Sequence, residues 1–193
     1  MEIVVSTTIF AVVLTMMLVL FSYTLRINRK VEGLRQVSQA TRNFTEFIVR
    51  EIRNGSIDYS GTIDAAHCTV PYNASSGATF LALVNRAGDR ECFYLVANGI
   101  NSNLWLTKLP VTGGSAISEQ VNPVNVTIDA STFRFFVRPT ANPQIASGGF
   151  YPGVQPFVTI VMNLSASFNS IEQPSVIPYQ TSVSTDNYSI QHH

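Results

Sequence analysis

The chain has 193 residues, with basic and acidic side chains balanced at 12 each, and only 12% of its residues are charged. That is about half the charged fraction of an ordinary soluble domain, and the length suits a membrane segment plus one domain. A neutral chain without a basic face or tail argues against nucleic-acid binding. Beyond the N-terminal third it is rich in Ser, Thr, Asn, Gly and Pro and poor in Lys and Glu, a composition common among extracellular domains.

The chain begins MEIVVSTTIFAVVLTMMLVLFSY, and residues 3–23 carry no charge, proline or glycine. About 20 apolar residues rising 1.5 Å each cross the roughly 30 Å hydrocarbon core of a bilayer. Ser6, Thr7, Thr8 and Thr15 can return their hydroxyls to the helix backbone, which makes them inexpensive in lipid. A cleaved secretory signal has a shorter apolar core, a basic start and a small-residue cleavage site. None is evident, so a retained membrane helix is expected, with Glu2 at its mouth.

The helix pattern continues through LRINRKVEGLRQVSQATRNFTEFIVREIRNG. Apolar positions Ile27, Val31, Leu34, Thr41, Phe44, Ile48 and Ile52, with Val37, Ala40 and Phe47 alongside, recur at helical spacing between charged residues. Gly33 costs about 1 kcal/mol relative to Ala without ending the pattern. Asn54-Gly55 supplies a stop, with Gly55 expected in the left-handed conformation. One helix over residues 2–53, roughly 75 to 80 Å long, is the expectation. A signal anchor followed by a separate helix is the alternative, although no flexible linker divides the two halves.

After Gly55 the period falls to two. TFLALVN (79–85) and ECFYLVA (91–97) flank RAGDR and read as a hairpin. NLWLTKL (103–109) follows the Asn98-Gly99 turn. VNVTIDA (124–130), TFRFFVR (132–138) and FVTIVMNLSA (157–166) are further strands. In the last two, Phe133, Phe135 and Val137 share a face, as do Val158, Ile160, Met162 and Leu164. VIPYQTSVS (176–184) closes the series, and Pro178 places it at an edge or bulge. One helix followed by a run of strands predicts an α+β fold, with a long N-terminal helix packed on a C-terminal antiparallel sheet. The expected organisation is a helix over 1–54 (3–23 apolar throughout, 24–54 amphipathic), a β-rich head over 55–185 and a polar tail over 186–193. The Gly- and Pro-rich loop 139–156 is long enough to be functional.

No catalytic or cofactor signature is evident. His67, His192 and His193 sit in no Ser/His/Asp or HExxH arrangement, and neither glycine-rich phosphate loop is present. His67, Cys68 and Cys92 lack the spacing of a metal site. Asp58, Asp64, Asp89 and Glu91 read as solvated turn charges, with calcium at a loop as the alternative. Sequons at Asn43, Asn54, Asn73, Asn125, Asn163 and Asn187 read as chance in so polar a chain, and Trp105 as core. A non-enzyme without cofactor or metal is expected. Cys68 and Cys92 are either unpaired thiols or, in an exported domain, one disulfide. Such a bridge closes a loop of about 25 residues, worth roughly 3 kcal/mol.

The first 55 residues resemble the N-terminus of a type IV pilin or type II secretion pseudopilin. In that family a basic leader ending in Gly is removed, the new N-terminus is methylated, and a Glu at the fifth mature position precedes an apolar stretch. Here E-IVV-STT-IF, from Glu2 to Phe10, matches that layout. Less specifically, VREIRNGSIDY (49–59), FLALVN (80–85) and P-x-V-T-I-V through QTSVSTDNY (156–188) are similar to small minor pilin-like proteins. The leader and first mature residues do not precede Met1, so the expectation is that Met1 is internal to a longer precursor. A true start would give an unprocessed pilin-like protein.

The resemblance implies a structural minor pilin or pseudopilin that assembles through its N-terminal helix into a pilus or secretion filament. Its implied partners are other pilin subunits, the inner (cytoplasmic) membrane, an assembly platform and a prepilin peptidase. Its head would face away from the cytoplasm. Glu2 would take the family's register role. The helix dipole favours a carboxylate there, and burial among packed helices requires a counter-charge, which the family takes from a neighbour's N-terminal amine. Without the resemblance Glu2 reads as a polar flank at the lipid–water interface. Arg26, Arg29 and Lys30 after the apolar run favour, on charge bias alone, that end facing the cytoplasm, opposite to the family orientation. A single-pass anchored binding or sensor domain that never polymerises is the alternative, and a membrane-tethered hydrolase has least support.

Overall fold

A computed structural model describes residues 2–59, 62–64, 68–69, 72, 76–98, 101–124, 126–143, 154–166 and 175–185. The fold is α+β, a long N-terminal helix packed on a curled antiparallel sheet. Helix α1 spans Glu2–Asn54. Short strands β1 (Ser56–Ile57), β2 (Thr62–Asp64) and β3 (Cys68–Thr69) follow. Then come β4 (Phe80–Val84), β5 (Arg90–Asn98), β6 (Asn101–Leu109), β7 (Ile117–Gln120), β8 (Val126–Asp129), β9 (Arg134–Arg138), β10 (Phe157–Ala166) and β11 (Ser175–Ser184). The chain groups into two compact units, residues 1–39 and 40–193. The first is helix alone, and the second joins the last turns of α1 to the sheet.

In the second unit, Thr41, Phe44, Thr45, Ile48 and Ile52 are buried at the three- and four-residue spacing of one helix face. Phe47 meets Phe93 of β5 edge-on at 6.4 Å between ring centres. The sheet side of this core comes from alternate residues of each strand, as period two requires. Leu81 and Leu83, Phe93, Leu104 and Leu106, Phe135 and Val137 are all buried, as are Val158, Ile160, Met162 and Leu164.

The strand order is β1-β4-β5-β6-β8-β10-β11, with β7 on β6 and β9 on β10. Two hairpins carry the longest registers, β5 with β6 (Cys92↔Thr107) and β10 with β11 (Ile160↔Thr181). The other edge of β10 is divided between β9 and β8. The sheet then turns back on itself, because Ala78 and Phe135 exchange backbone hydrogen bonds of 2.8 and 2.7 Å. This seam is why the sheet forms a half-barrel. It needs Gly77, which has φ 70° and where a Cβ would lie 3.1 Å from both Arg134 Cβ and Phe136 Cε1.

Two side chains complete the backbone pairing where the ladders stop. Buried Asn122 accepts from Leu104 N–H at 2.7 Å and donates to Val126 O at 2.6 Å and Asn103 Oδ1 at 3.1 Å. Tyr72 covers the outer edge of β4, where Ala82 N–H donates to its hydroxyl at 2.9 Å and the hydroxyl reaches Ala82 O at 3.1 Å.

The β4–β5 hairpin, the shared faces of β9 and β10, and the edge position of β11 with Pro178 agree with the sequence reading. The helix ends at Asn54, and β8 is confined to 126–129. Gly55 departs from its expected role, since its φ is not positive. What it provides is clearance: a Cβ there would sit 3.1 Å from Glu51 O and 3.2 Å from Val84 O, where α1 turns into β1.

Candidate functional site

The first unit is a helix whose apolar side chains stay exposed among the described residues. Every large apolar side chain in residues 3–34 is exposed, from 41% at Leu25 to 80% at Ile3. A core helix of a soluble domain hides such residues, and contiguous exposed apolar patches on monomers rarely exceed several hundred Å². Full burial of one Val, Leu, Ile, Phe or Met is worth about 1.5–3 kcal/mol, so the summed driving force for covering this surface is large.

Five hydroxyls within this segment are turned inward to the backbone. Thr7 and Thr8 hydroxyls donate to Val4 O at 3.0 and 2.6 Å, and Thr15 to Val12 O at 2.8 Å. Ser22 donates to Leu18 O at 2.7 Å and Thr24 to Leu20 O at 2.9 Å. Each hydroxyl thereby satisfies its donor within one turn, leaving a helix that presents mainly hydrocarbon. The hydrophobic stretch is one continuous helix long and apolar enough to cross a membrane.

Glu2 occupies the first turn of α1, on the same face as Val5, Ser6 and Ile9. The helix N-terminus favours its charge. The nearest basic residue along the chain is Arg26, roughly 36 Å away at 1.5 Å per residue. Within the described residues, then, the helix dipole is the local electrostatic partner of this carboxylate.

Beyond the apolar segment, Cys68 and Cys92 are joined in a disulfide with Cα atoms 6.3 Å apart, both fully buried. They pack with Tyr94, Phe80 and Trp105 on the sheet face opposite α1. The strands register these residues directly, pairing Ala82 with Cys92 and Tyr94 with Trp105. Trp105 is therefore part of a second, smaller core, as read from the sequence.

Two of the scattered acids, Asp58 and Glu91, correct the sequence reading, which took them as solvated turn charges; Asp89 stands in the turn between β4 and β5 as read, and the side chain of Asp64 lies outside the described residues. Asp58 and Glu91 are 5% and 2% exposed. Asp58 Oδ2 accepts from Arg90 Nε at 2.9 Å and Nη2 at 2.6 Å, while Glu91 lies 3.4 Å from Lys108 Nζ. Asp89 accepts from Val111 N–H at 3.0 Å. These carboxylates hold the β4–β5 turn and its neighbours together. Sequence reasoning missed them because the partners lie on other strands. It missed Asn122 and Tyr72 for the same reason. Burial pushes the Tyr72 hydroxyl pKa well above its ordinary value. At the exposed β8 turn, hydrogen bonds from Ser131 hold the Asp129 carboxyl below its usual range.

His67, His192, His193, residues 144–153 of the 139–156 loop, the 186–193 tail and the sequons at Asn73, Asn125 and Asn187 lie outside the described residues. Asn163, a fourth sequon position, lies within β10, opposite Pro178 of β11. Comparison with protein-family profiles, curated proteins and solved structures finds no match to this chain. The architecture itself, a long apolar N-terminal helix with its C-terminal turns on a curled antiparallel sheet, is compatible with pilin-type proteins without being specific to them.

Proposed function

We propose that this protein is a structural subunit, a minor pilin or pseudopilin, that enters a filament by packing its N-terminal helix against those of other subunits. Before assembly the same helix holds it in the inner membrane, with the β-rich head outside the cytoplasm. It acts by assembly, not catalysis. A prepilin peptidase and an assembly platform are the implied partners on the precursor.

One observation carries this reading over a simple membrane anchor. The exposed apolar surface does not end where a bilayer would end: Ile27, Val31 and Leu34 continue it for two further turns and remain 43–47% exposed. A lipid anchor has no use for an apolar stripe there, whereas helix-to-helix packing does. The position of Glu2 supports it further, because a carboxylate among packed apolar helices is stable only with a counter-charge supplied by a neighbour.

Glu2→Ala tests the reading in the cell that makes the protein. Filament incorporation is expected to fall at least tenfold in the sheared surface fraction while the membrane fraction keeps its full amount. Unchanged incorporation would favour the non-polymerising anchored domain.

A further inference from the structure

We propose that Arg26, Arg29 and Lys30 form a cationic collar that binds the headgroups of anionic phospholipid. The inference rests on the reading of α1 as a membrane helix and adds to it the class of lipid that the helix selects.

Residues 3–25 are an uncharged run of 23, about 35 Å long at 1.5 Å per residue. With a hydrocarbon core of about 30 Å, residues 26–30 fall at the depth of the headgroups. Three of those five residues are basic.

Spacing comes next. Offsets of three and four residues place the three cations within an arc of about 100° on one side of the helix. Ile27, Val31 and Leu34 occupy a neighbouring arc, so the cationic and apolar stripes run side by side. All three cations are exposed, and among the described residues none takes part in an ion pair. Glu32, three residues after Arg29, is the one nearby acid and leaves residues 26–32 with a net charge of +2.

Charge distribution selects the partner. Seven basic and four acidic residues lie in residues 1–54, against five and eight in residues 55–193. A neutral chain is thus split into a helix of net +3 and a head of net −3. A negative surface attracts the first and repels the second, and only the helix reaches the bilayer by its apolar run. Each Lys or Arg held at an anionic lipid surface beside a membrane helix adds about 1 kcal/mol of attraction.

The test uses the full chain, transferred from detergent into a mixture of neutral phosphatidylcholine vesicles and vesicles containing phosphatidylglycerol, separated by flotation. At low salt the wild type is expected to favour the anionic vesicles by about 25-fold, from about fivefold per net cation. The triple variant Arg26→Gln/Arg29→Gln/Lys30→Gln is expected to bring the ratio below threefold, as is high salt. Arg50→Gln/Arg53→Gln removes charge elsewhere on the helix and is expected to leave the preference in place.

An even distribution of the wild type at low salt overturns the proposal, as does a triple variant that keeps the preference. Equal loss in the Arg50/Arg53 variant assigns the effect to net charge and overturns the collar. Inorganic phosphate at matched ionic strength is expected to change nothing, and its abolishing the preference would reassign the cations to a free anion. Failure to float with either vesicle type would sink the membrane reading itself, a result distinct from floating without preference.

Discussion

Asn122 offers the sharpest quantitative check on the half-barrel. Its side chain is 3% exposed and joins β6 to the start of β8. Asn122→Ala leaves two buried backbone groups without their partner, Leu104 N–H and Val126 C=O, held in the wild type at 2.7 and 2.6 Å. Each orphaned group costs about 1–3 kcal/mol. Part of that is recovered by water, so a net loss of about 3 kcal/mol is expected, or a Tm lower by roughly 6 to 12 °C for a chain of this size. The sole tryptophan, Trp105, adjoins Leu104 in β6 and reports the event directly. Urea unfolding of the full chain in detergent, followed by its fluorescence, gives the loss as a shift in midpoint at constant slope. Asn122→Asp keeps the acceptor for Leu104 N–H but turns a carboxylate oxygen toward Val126 O and Asn103 Oδ1. It is expected to be at least as destabilised as the Ala variant near neutral pH. A loss below 1 kcal/mol for Asn122→Ala, or a wild-type midpoint for Asn122→Asp, would refute the assignment.

Three further predictions rest on the same unit. Gly77→Ala, at φ 70° with no room for a Cβ, should lower stability by about 2 kcal/mol, seen as a lower urea midpoint; an unchanged midpoint would mean that the Ala78–Phe135 seam tolerates it. The Cys68–Cys92 bridge should resist alkylation in the native protein, and mass spectrometry should show a gain of a hydrogen pair on reduction; alkylation of both thiols without reductant would contradict the bridge. Tyr72 supplies a pH dependence. Its folded pKa is raised above 10.0, so the folded state holds this proton more tightly than the unfolded chain does. Stability is therefore full below about pH 10 and falls as pH rises beyond it. Tyr72→Phe should be less stable at neutral pH and should lose that alkaline decline, as read by unfolding at pH 8 and pH 11; an equally steep decline in the variant would place its origin elsewhere.

Much of this fold was legible in local patterns. The three- and four-residue spacing of Phe44, Ile48 and Ile52 and the alternation of Val158, Ile160, Met162 and Leu164 follow from one physical rule each, and both faces are buried as read. What was illegible depends on pairing at a distance. Strands β1, β2 and β3 are two or three residues long, and polar β7 has exposed residues at 117–119, so none carries a period. The burial of Asp58 and Glu91 is decided by Arg90 and Lys108 on neighbouring strands, which composition cannot show. Gly55 was rightly singled out but for a different reason: close approach of Val84 O, not a left-handed backbone, requires it. In the candidate site, the apolar run and Glu2 were visible at once. The continuation of exposure through Ile27, Val31 and Leu34 was not, because an amphipathic stripe in sequence does not say whether its own chain covers it.

In the proposed filament this stripe is covered by other subunits. A photo-crosslinking amino acid placed at Val31, which is 43% exposed, tests it most directly in cells producing the full chain. Crosslinks to the N-terminal helix of another filament subunit are expected, lost in Glu2→Ala, and none from the same probe at Val124, 93% exposed on the head. Crosslinks from Val31 to lipid alone, or subunit crosslinks that persist unchanged in Glu2→Ala, would contradict it.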